Sequence, residues 1–172
     1  MKNIIFGRHN EDRSTVHHFN TIGLMIVAIA FSHSAVLAQE NATPKSITIH
    51  QEIDFKVSPQ RLYEALLDSK QFSSFSGRAA EISQSVGGPF SLFDKHIVGQ
   101  NVELVPNQRI VQAWRVVDWP AGIYSIARFE FKPQGEGTKL VFDHTAFPED
   151  LKEHLAEGWQ TNYWNLLTKY FK

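Results

Sequence analysis

The first regular pattern of apolar and polar residues lies in residues 46–57 (SITIHQEIDFKV), where the two kinds alternate. This alternation predicts a strand with one buried face. Ser58 followed by Pro59 is typical of a helix start, because serine caps free backbone N–H groups and proline suits the first turn. Leucines at helical spacing then predict one short helix, and residues 68–75 predict a second that ends near Gly77.

Between residues 79 and 146 the pattern changes to short apolar runs separated by turn residues. These runs predict six strands, at residues 80–86, 90–93, 97–105, 109–117, 124–132 and 139–146. The connections are too short for crossovers, so the strands should pair antiparallel. A long amphipathic helix is predicted for residues 149–170, with an apolar stripe that includes Leu155 and Trp159. The predicted fold class is α+β: a curved antiparallel sheet of about seven strands covered by one long C-terminal helix.

Gly87 and Gly88 raise the question of a phosphate-binding loop. Such a loop needs a helix N-terminus directly after the glycines, so that backbone N–H groups point at the anion. Here Pro89 and the alternating sequence FSLF follow, which favour a strand. The glycine pair is therefore predicted to be a hairpin turn, and no nucleotide cofactor is expected.

The N-terminal residues predict a secretory signal peptide. Residues 22–31 (IGLMIVAIAF) form an uninterrupted apolar run, basic residues precede it, and Val36-Leu37-Ala38 suits cleavage after Ala38. An uncleaved membrane anchor is the alternative, but it needs about 20 apolar residues. We therefore predict a leader at residues 1–38, a flexible tail at 39–45 and one domain at 46–172. The expected location is periplasmic or secreted, with membrane contact only during export.

Composition excludes several classes of function. The chain has 172 residues, a formal net charge of −1 and no cysteine. It therefore has no basic surface for nucleic acid, no disulfide and no thiolate metal site. The histidines that follow the leader, His50, His96, His144 and His154, are widely separated and lack metal-ligand spacing. No metal site or cofactor is predicted.

A ligand cavity is expected between the sheet and the long helix. Alternation places Ile110, Gln112 and Trp114 on the inner face of one strand, and Leu140, Phe142 and His144 on another. His144 is the one candidate catalytic residue, as a general base; the alternative is a buried histidine satisfied by its neighbours. The predicted ligand-binding residues are Phe90, Leu92, Gln112, Trp114, Phe142, His144, Trp159 and Tyr163.

Three segments together resemble a known family: GGPFSLFDKHIVGQNVELVPNQRIVQAWRVVDWPAG, GEGTKLVF and AEGWQTNYWNLLTKYF. They are similar, in this order, to the C-terminal domain of the activator of Hsp90 ATPase, and the resemblance extends over residues 47–171. It implies the helix-grip fold of the START-like, birch-allergen-like (SRPBCC) superfamily, with a hydrophobic cavity. Eukaryotic activators carry a further N-terminal domain that contributes much of the chaperone binding. Because this chain has a predicted leader there instead, cytosolic Hsp90 is not the expected partner.

Three functions are compatible with these observations. The leading hypothesis is an exported binding protein for a hydrophobic or amphipathic small molecule. A cavity enzyme is the second, and it predicts another titratable group, such as His96 or Glu130, beside His144. A protein-interaction module related to co-chaperones is the third, and it predicts that residues 119–122 (WPAG) form an exposed apolar loop.

Overall fold

The computed structural model describes residues 47–172, so the predicted leader and the predicted tail both lie outside the described residues. The strands are β1 (Thr48–Phe55), β2 (Glu81–Ile82), β3 (Pro89–Leu92), β4 (Ile97–Val105), β5 (Arg109–Val116), β6 (Ser125–Gln134) and β7 (Gly137–Thr145). They form one seven-stranded sheet in the order β1-β7-β6-β5-β4-β3-β2. Every neighbouring pair is antiparallel, as the short connections predicted.

Two short helices connect β1 to β2, α1 (Pro59–Leu67) and α2 (Ser69–Ser76). The Ser58 hydroxyl accepts the N–H of Arg61 at 3.4 Å, so Ser58 caps α1 as predicted. Asp68 caps α2 by accepting two backbone N–H groups at 3.0 and 2.9 Å. Gly77 ends α2 with φ +69°, a left-handed conformation that glycine adopts without strain.

The C-terminal helix runs along the concave face of the sheet and has four parts. These are a 3₁₀ turn (Glu149–Leu151), α3 (Lys152–Trp159), a π segment (Gln160–Trp164) and α4 (Asn165–Tyr170). Its extent matches the predicted helix, and the α+β helix-grip architecture is confirmed. The π segment was not predicted. Its wider turn brings the consecutive residues Tyr163 and Trp164 into the core together.

The core lies between the sheet and the helices, where the alternation of β5 and β7 predicted it. Both inner rows are buried: Ile110, Gln112 and Trp114 on β5, and Leu140, Phe142 and His144 on β7. Aromatic rings fill much of this space. The Phe142 ring centroid lies 4.3 Å from that of Trp159 and 5.2 Å from that of Trp164.

One predicted strand is much shorter than expected. The pattern predicted a strand over residues 80–86, whereas β2 contains only Glu81–Ile82. The Ser83 N–H still donates to the Pro89 carbonyl of β3 at 3.0 Å, but the Ser83 carbonyl accepts the Asn101 side chain at 2.6 Å instead of a strand N–H. A side-chain hydrogen bond thus replaces strand pairing at this edge, which the alternation of residue types cannot reveal.

The glycine pair forms the predicted turn between β2 and β3. Gly87 has φ +74°, and the Gly88 N–H donates to the Ser85 carbonyl at 3.0 Å. A Cβ at position 88 would lie 2.1 Å from the Ser83 hydroxyl oxygen, so the backbone approaches too closely for any side chain. Backbone geometry alone therefore explains both glycines.

Candidate ligand-binding pocket

A pocket lies between the turn that joins β3 to β4 and the C-terminal helix, and its cavity volume is about 100 Å³. Six of its lining residues are buried and form the floor: Phe93, Ile97, Trp114, Leu155, Trp159 and Tyr163. Four exposed polar residues form the rim: Arg78, His96, His154 and Asn162. Val116 and Gly158 complete the lining. The pocket is thus apolar below and polar at its opening.

The turn on one side of the pocket has an unusual backbone. Phe93, Asp94 and Lys95 have φ values of 54°, 59° and 69°, three consecutive non-glycine residues in the left-handed region. This conformation costs roughly 1–2 kcal/mol per residue, so surrounding contacts must hold it. The Asp94 carboxylate supplies them, because it accepts the Ala79 N–H and the Arg78 Nε, each at 2.9 Å. Hydrogen bonds from Arg78 and then Ala79 hold the pKa of Asp94 below its usual range.

The floor consists mainly of three aromatic rings on two elements. The Trp159 centroid lies 5.5 Å from that of Trp114 on β5 and 4.3 Å from that of Tyr163 on the π segment. Trp114 Nε1 and Tyr163 Oη are sealed from solvent and have no hydrogen-bond partner. Burial raises the pKa of Tyr163; the Trp114 N–H offsets part of this rise without reaching hydrogen-bond geometry. These two polar atoms are therefore unsatisfied within the described structure.

His144 lies in the core beside the floor and has partners on both ring nitrogens. Trp159 Nε1 donates to His144 Nδ1 at 3.0 Å, and His144 Nε2 lies 2.7 Å from the Ser125 hydroxyl oxygen. Ser125 in turn donates to the Trp114 carbonyl at 2.8 Å. Since Nδ1 accepts, Nε2 must carry the proton of a neutral imidazole. Burial lowers the pKa of His144 to about 3, which keeps it in this neutral form.

Three of the eight predicted ligand-binding residues line the pocket: Trp114, Trp159 and Tyr163. The other five are buried in the core without bordering it: Phe90, Leu92, Gln112, Phe142 and His144. Gln112, for example, donates to the Asn101 side chain at 3.0 Å. The expected cavity is smaller and nearer β4 because aromatic rings occupy the space below the middle of the helix.

Sequence reasoning missed the rim of the pocket and Gly158. The rim residues come from the loop after α2, the β3–β4 turn, α3 and the π segment, which no single periodicity connects. Gly158 did carry a signal, because a glycine inside a helical pattern costs about 1 kcal/mol relative to alanine and calls for a packing or functional reason. Its missing side chain leaves space: a Cβ there would have only one atom within 4 Å, Asn162 Nδ2 at 3.9 Å.

The residues predicted to accompany His144 in an enzyme lie elsewhere. His96 is exposed at the rim, and Glu130 pairs with Arg128 on the outer face of the sheet. Within residues 47–172, no three His, Asp or Glu side chains converge as metal ligands would. No helix in this part of the chain is long and apolar enough to span a membrane.

Comparison with known proteins identifies relatives of the described domain. A family model described as "Activator of Hsp90 ATPase homolog 1-like protein" matches residues 56–172. The chain is 27% identical over 117 residues to the activator of 90 kDa heat shock protein ATPase homolog 1 of Homo sapiens, covering 68% of this chain and 35% of that protein. It is 30% identical over 120 residues to the Dictyostelium discoideum homolog, covering 69% and 31%. The chain therefore spans about a third of the length of the curated relatives it matches.

Solved structures show the same architecture. PFC0360w, described as an HSP90 activator from Plasmodium falciparum, is 29% identical with a TM-score of 0.67, covering 69% of this chain and 91% of that one. CalU16 from Micromonospora echinospora has a TM-score of 0.64 over 74% of this chain and 77% of its own. Its sequence identity is 17%, so this similarity bears on the fold alone.

Proposed function

Because the chain belongs to the family of activator of Hsp90 ATPase homolog 1-like proteins, we propose that it is an exported domain of this family that binds a hydrophobic or amphipathic small molecule. The binding site is the pocket between β4, β5 and the C-terminal helix. The observation that carries the proposal is the combination of a buried aromatic floor with an open polar rim. Ligand sites are typically apolar concavities with a few polar groups that set orientation.

The size of the pocket limits what it holds. Drug-sized ligands occupy about 300–1,000 Å³, whereas an apolar cavity of about 150 Å³ accommodates benzene. At about 100 Å³, the pocket is smaller than such a benzene site, so it accommodates a short aliphatic group or part of one ring. A larger molecule would insert its apolar end and leave the remainder at the rim.

Export is the part of the proposal that rests on the leader pattern in residues 1–38. A protein that leaves the cytosol does not meet cytosolic Hsp90, so a small molecule replaces the chaperone as the expected partner. Expression of the full chain in a bacterial host tests this. We expect the domain in the periplasm or the medium, with an intact mass that corresponds to a chain beginning at Gln39. An uncleaved chain in the cytosol would contradict export.

Binding is tested by native mass spectrometry of the protein purified without detergent. We expect an adduct that denaturation releases. Solvent extraction should recover the bound molecule, so that its mass can be measured separately. Gly158→Leu should abolish it, because the new side chain occupies the pocket. Glu157→Leu introduces the same residue at an exposed neighbouring position and should retain the adduct. An adduct that both variants retain would contradict binding in this pocket.

A protein-interaction role is the second candidate, favoured by an exposed apolar loop between β5 and β6. Val117, Ile123 and Tyr124 are 42%, 41% and 46% exposed, whereas Trp119 in the same loop is buried against Trp114. Under this alternative, the purified chain should raise the ATPase rate of an Hsp90, and Ile123→Asp should remove the increase. An unchanged ATPase rate would leave the small-molecule proposal as the better account.

The enzyme alternative receives no support from His144. A general base needs a nitrogen that reaches the substrate, and both nitrogens of His144 are already engaged. The hydrogen-bond chain instead assigns His144 a structural role, joining β7 to β6 and to the C-terminal helix.

A further inference from the structure

The polar groups that line the pocket are all able to donate hydrogen bonds. They belong to Arg78, His96, His154 and Asn162, and the lining residues of this pocket include no Asp or Glu. A guanidinium and a side-chain amide donate through several N–H groups, and an imidazole donates at least one in either charge state. A ligand group at this rim therefore meets donors from the β3–β4 turn on one side and from the C-terminal helix on the other.

Arg78 is held in place with part of its donor capacity free. Its Nε is bonded to Asp94 at 2.9 Å, and its Cζ lies 5.7 Å from the centroid of the Phe93 ring in the floor. Within residues 47–172, no hydrogen bond from its Nη atoms is found. The guanidinium is thus oriented at the edge of the pocket by two contacts, while both Nη groups can bind an oxygen acceptor.

Asp94 reduces the positive charge of this site but leaves the Nη groups of Arg78 free. One of its oxygens accepts Arg78 Nε and the other accepts the backbone N–H of Ala79. The rim should therefore distinguish between ligand head groups by directed hydrogen bonds more than by net charge. Because the Arg78 side chain is 50% exposed, water competes for its Nη groups, and selectivity of about tenfold is the reasonable expectation.

From this arrangement we propose that the pocket selects small carboxylic acids: the end of a small apolar body lies on the floor beside Gly158, and the carboxylate is bound at the rim by the Nη groups of Arg78. This inference rests on the proposed function, because it names the ligand class of the same pocket. A carboxylate suits the rim because its two oxygens accept bidentate hydrogen bonds from arginine. An ammonium group has no acceptor and is the least favourable head group here.

Three probes that share one apolar body and differ in their head groups test the inference. The protein is expressed from the full chain and used in the form that its host produces. The probes are para-ethylbenzoate, para-ethylbenzamide and para-ethylbenzylamine, titrated while the indole N–H resonances of Trp114 and Trp159 are followed by NMR. We expect the carboxylate to bind about tenfold more tightly than the amide, and the ammonium compound to bind weakest. Arg78→Gln should remove the preference for the carboxylate over the amide. Arg109→Gln, which removes an arginine from a surface pair with Glu103, should leave it unchanged.

The outcomes separate this inference from the proposed function. Equal affinity for carboxylate and amide, or a preference that survives Arg78→Gln, overturns the carboxylate assignment. If Gly158→Leu still abolishes the native adduct in that case, the pocket remains the binding site and only the ligand class is wrong. Probes that shift neither indole, together with no adduct, overturn both.

Discussion

Acidification should destabilise the fold through His144, because its imidazole is buried in the neutral form. Its side chain is 0% exposed, and burial lowers its pKa from 6.5 to about 3. Between these two pH values the unfolded chain binds a proton that the folded chain excludes. The contribution of His144 to stability is therefore complete above pH 6.5 and declines progressively as the pH falls toward 3.

The magnitude follows from the unfolded and folded pKa values. Each pH unit below the unfolded pKa removes about 1.4 kcal/mol until the folded pKa is reached. Between about pH 7.5 and about pH 5, His144 should therefore remove about 2 kcal/mol from the free energy of unfolding. Glu52, Asp94 and Glu103 have lowered pKa values because Lys139, Arg78 and Arg109 respectively donate to them. Their contributions are lost only at more acidic pH, so this window isolates the histidine.

Urea unfolding of the wild type and of His144→Gln at both pH values measures this contribution. Glutamine retains an acceptor for the Trp159 N–H and a donor for the Ser125 hydroxyl, but it does not titrate. We expect the variant to lose about 2 kcal/mol less than the wild type between the two pH values. The exposed histidines are common to both proteins and cancel in the difference. Equal losses would refute the conclusion that a neutral imidazole is buried at position 144.

Four further substitutions test the packing of the domain by urea unfolding. Tyr163→Phe removes a buried hydroxyl that has no partner, so stability should stay constant or rise by about 1 kcal/mol; a clear loss would indicate an unrecognised hydrogen bond. Gly99→Ala should destabilise the fold by about 3 kcal/mol because its Cβ would lie 2.0 Å from the Ala113 carbonyl oxygen. Gly158→Ala has space for its Cβ and should stabilise the fold by about 0.5–1 kcal/mol. If Gly158→Ala proved less stable than Gly99→Ala, this packing would be contradicted. Asp94→Ala should lower the urea midpoint because the left-handed turn loses its carboxylate contacts, and an unchanged midpoint would show that the turn does not depend on them.

The order of secondary structure elements was predictable because each element carries a local signal. Alternation, short apolar runs and turn residues predicted six of the seven strands to within about two residues, and Ser58 and Gly77 marked helix ends. The inner faces of β5 and β7 followed from the same alternation. The length of strand β2 was overestimated because Asn101, distant in sequence, bonds the Ser83 carbonyl at the point where the ladder stops.

The pocket was only partly predictable because its size depends on how rings pack after the chain folds. Strand alternation identifies Phe142 as inward-facing and helical spacing does the same for Trp159, but neither pattern shows that their centroids lie 4.3 Å apart and close the central space. The rim depends on a turn with three left-handed residues, and two of them, Phe93 and Lys95, are residue types that give no sequence signal for that conformation. Arg78 reaches the rim only because that turn presents Asp94 to it.

The π segment explains how one helix both closes the core and forms part of a pocket. Consecutive residues in a regular α-helix project about 100° apart, so Tyr163 and Trp164 would not both face the sheet fully. In the wider turn both are buried: Tyr163 forms part of the pocket floor, while Trp164 donates to the Gln51 side chain on β1 at 2.6 Å. Gln51 also donates to the Ala156 carbonyl of α3 at 3.1 Å, so the helix is fixed to the β1 edge on this side. The other side of the same helix, at Gly158, is left without a side chain, and the pocket lies there because the tight packing is concentrated toward β1.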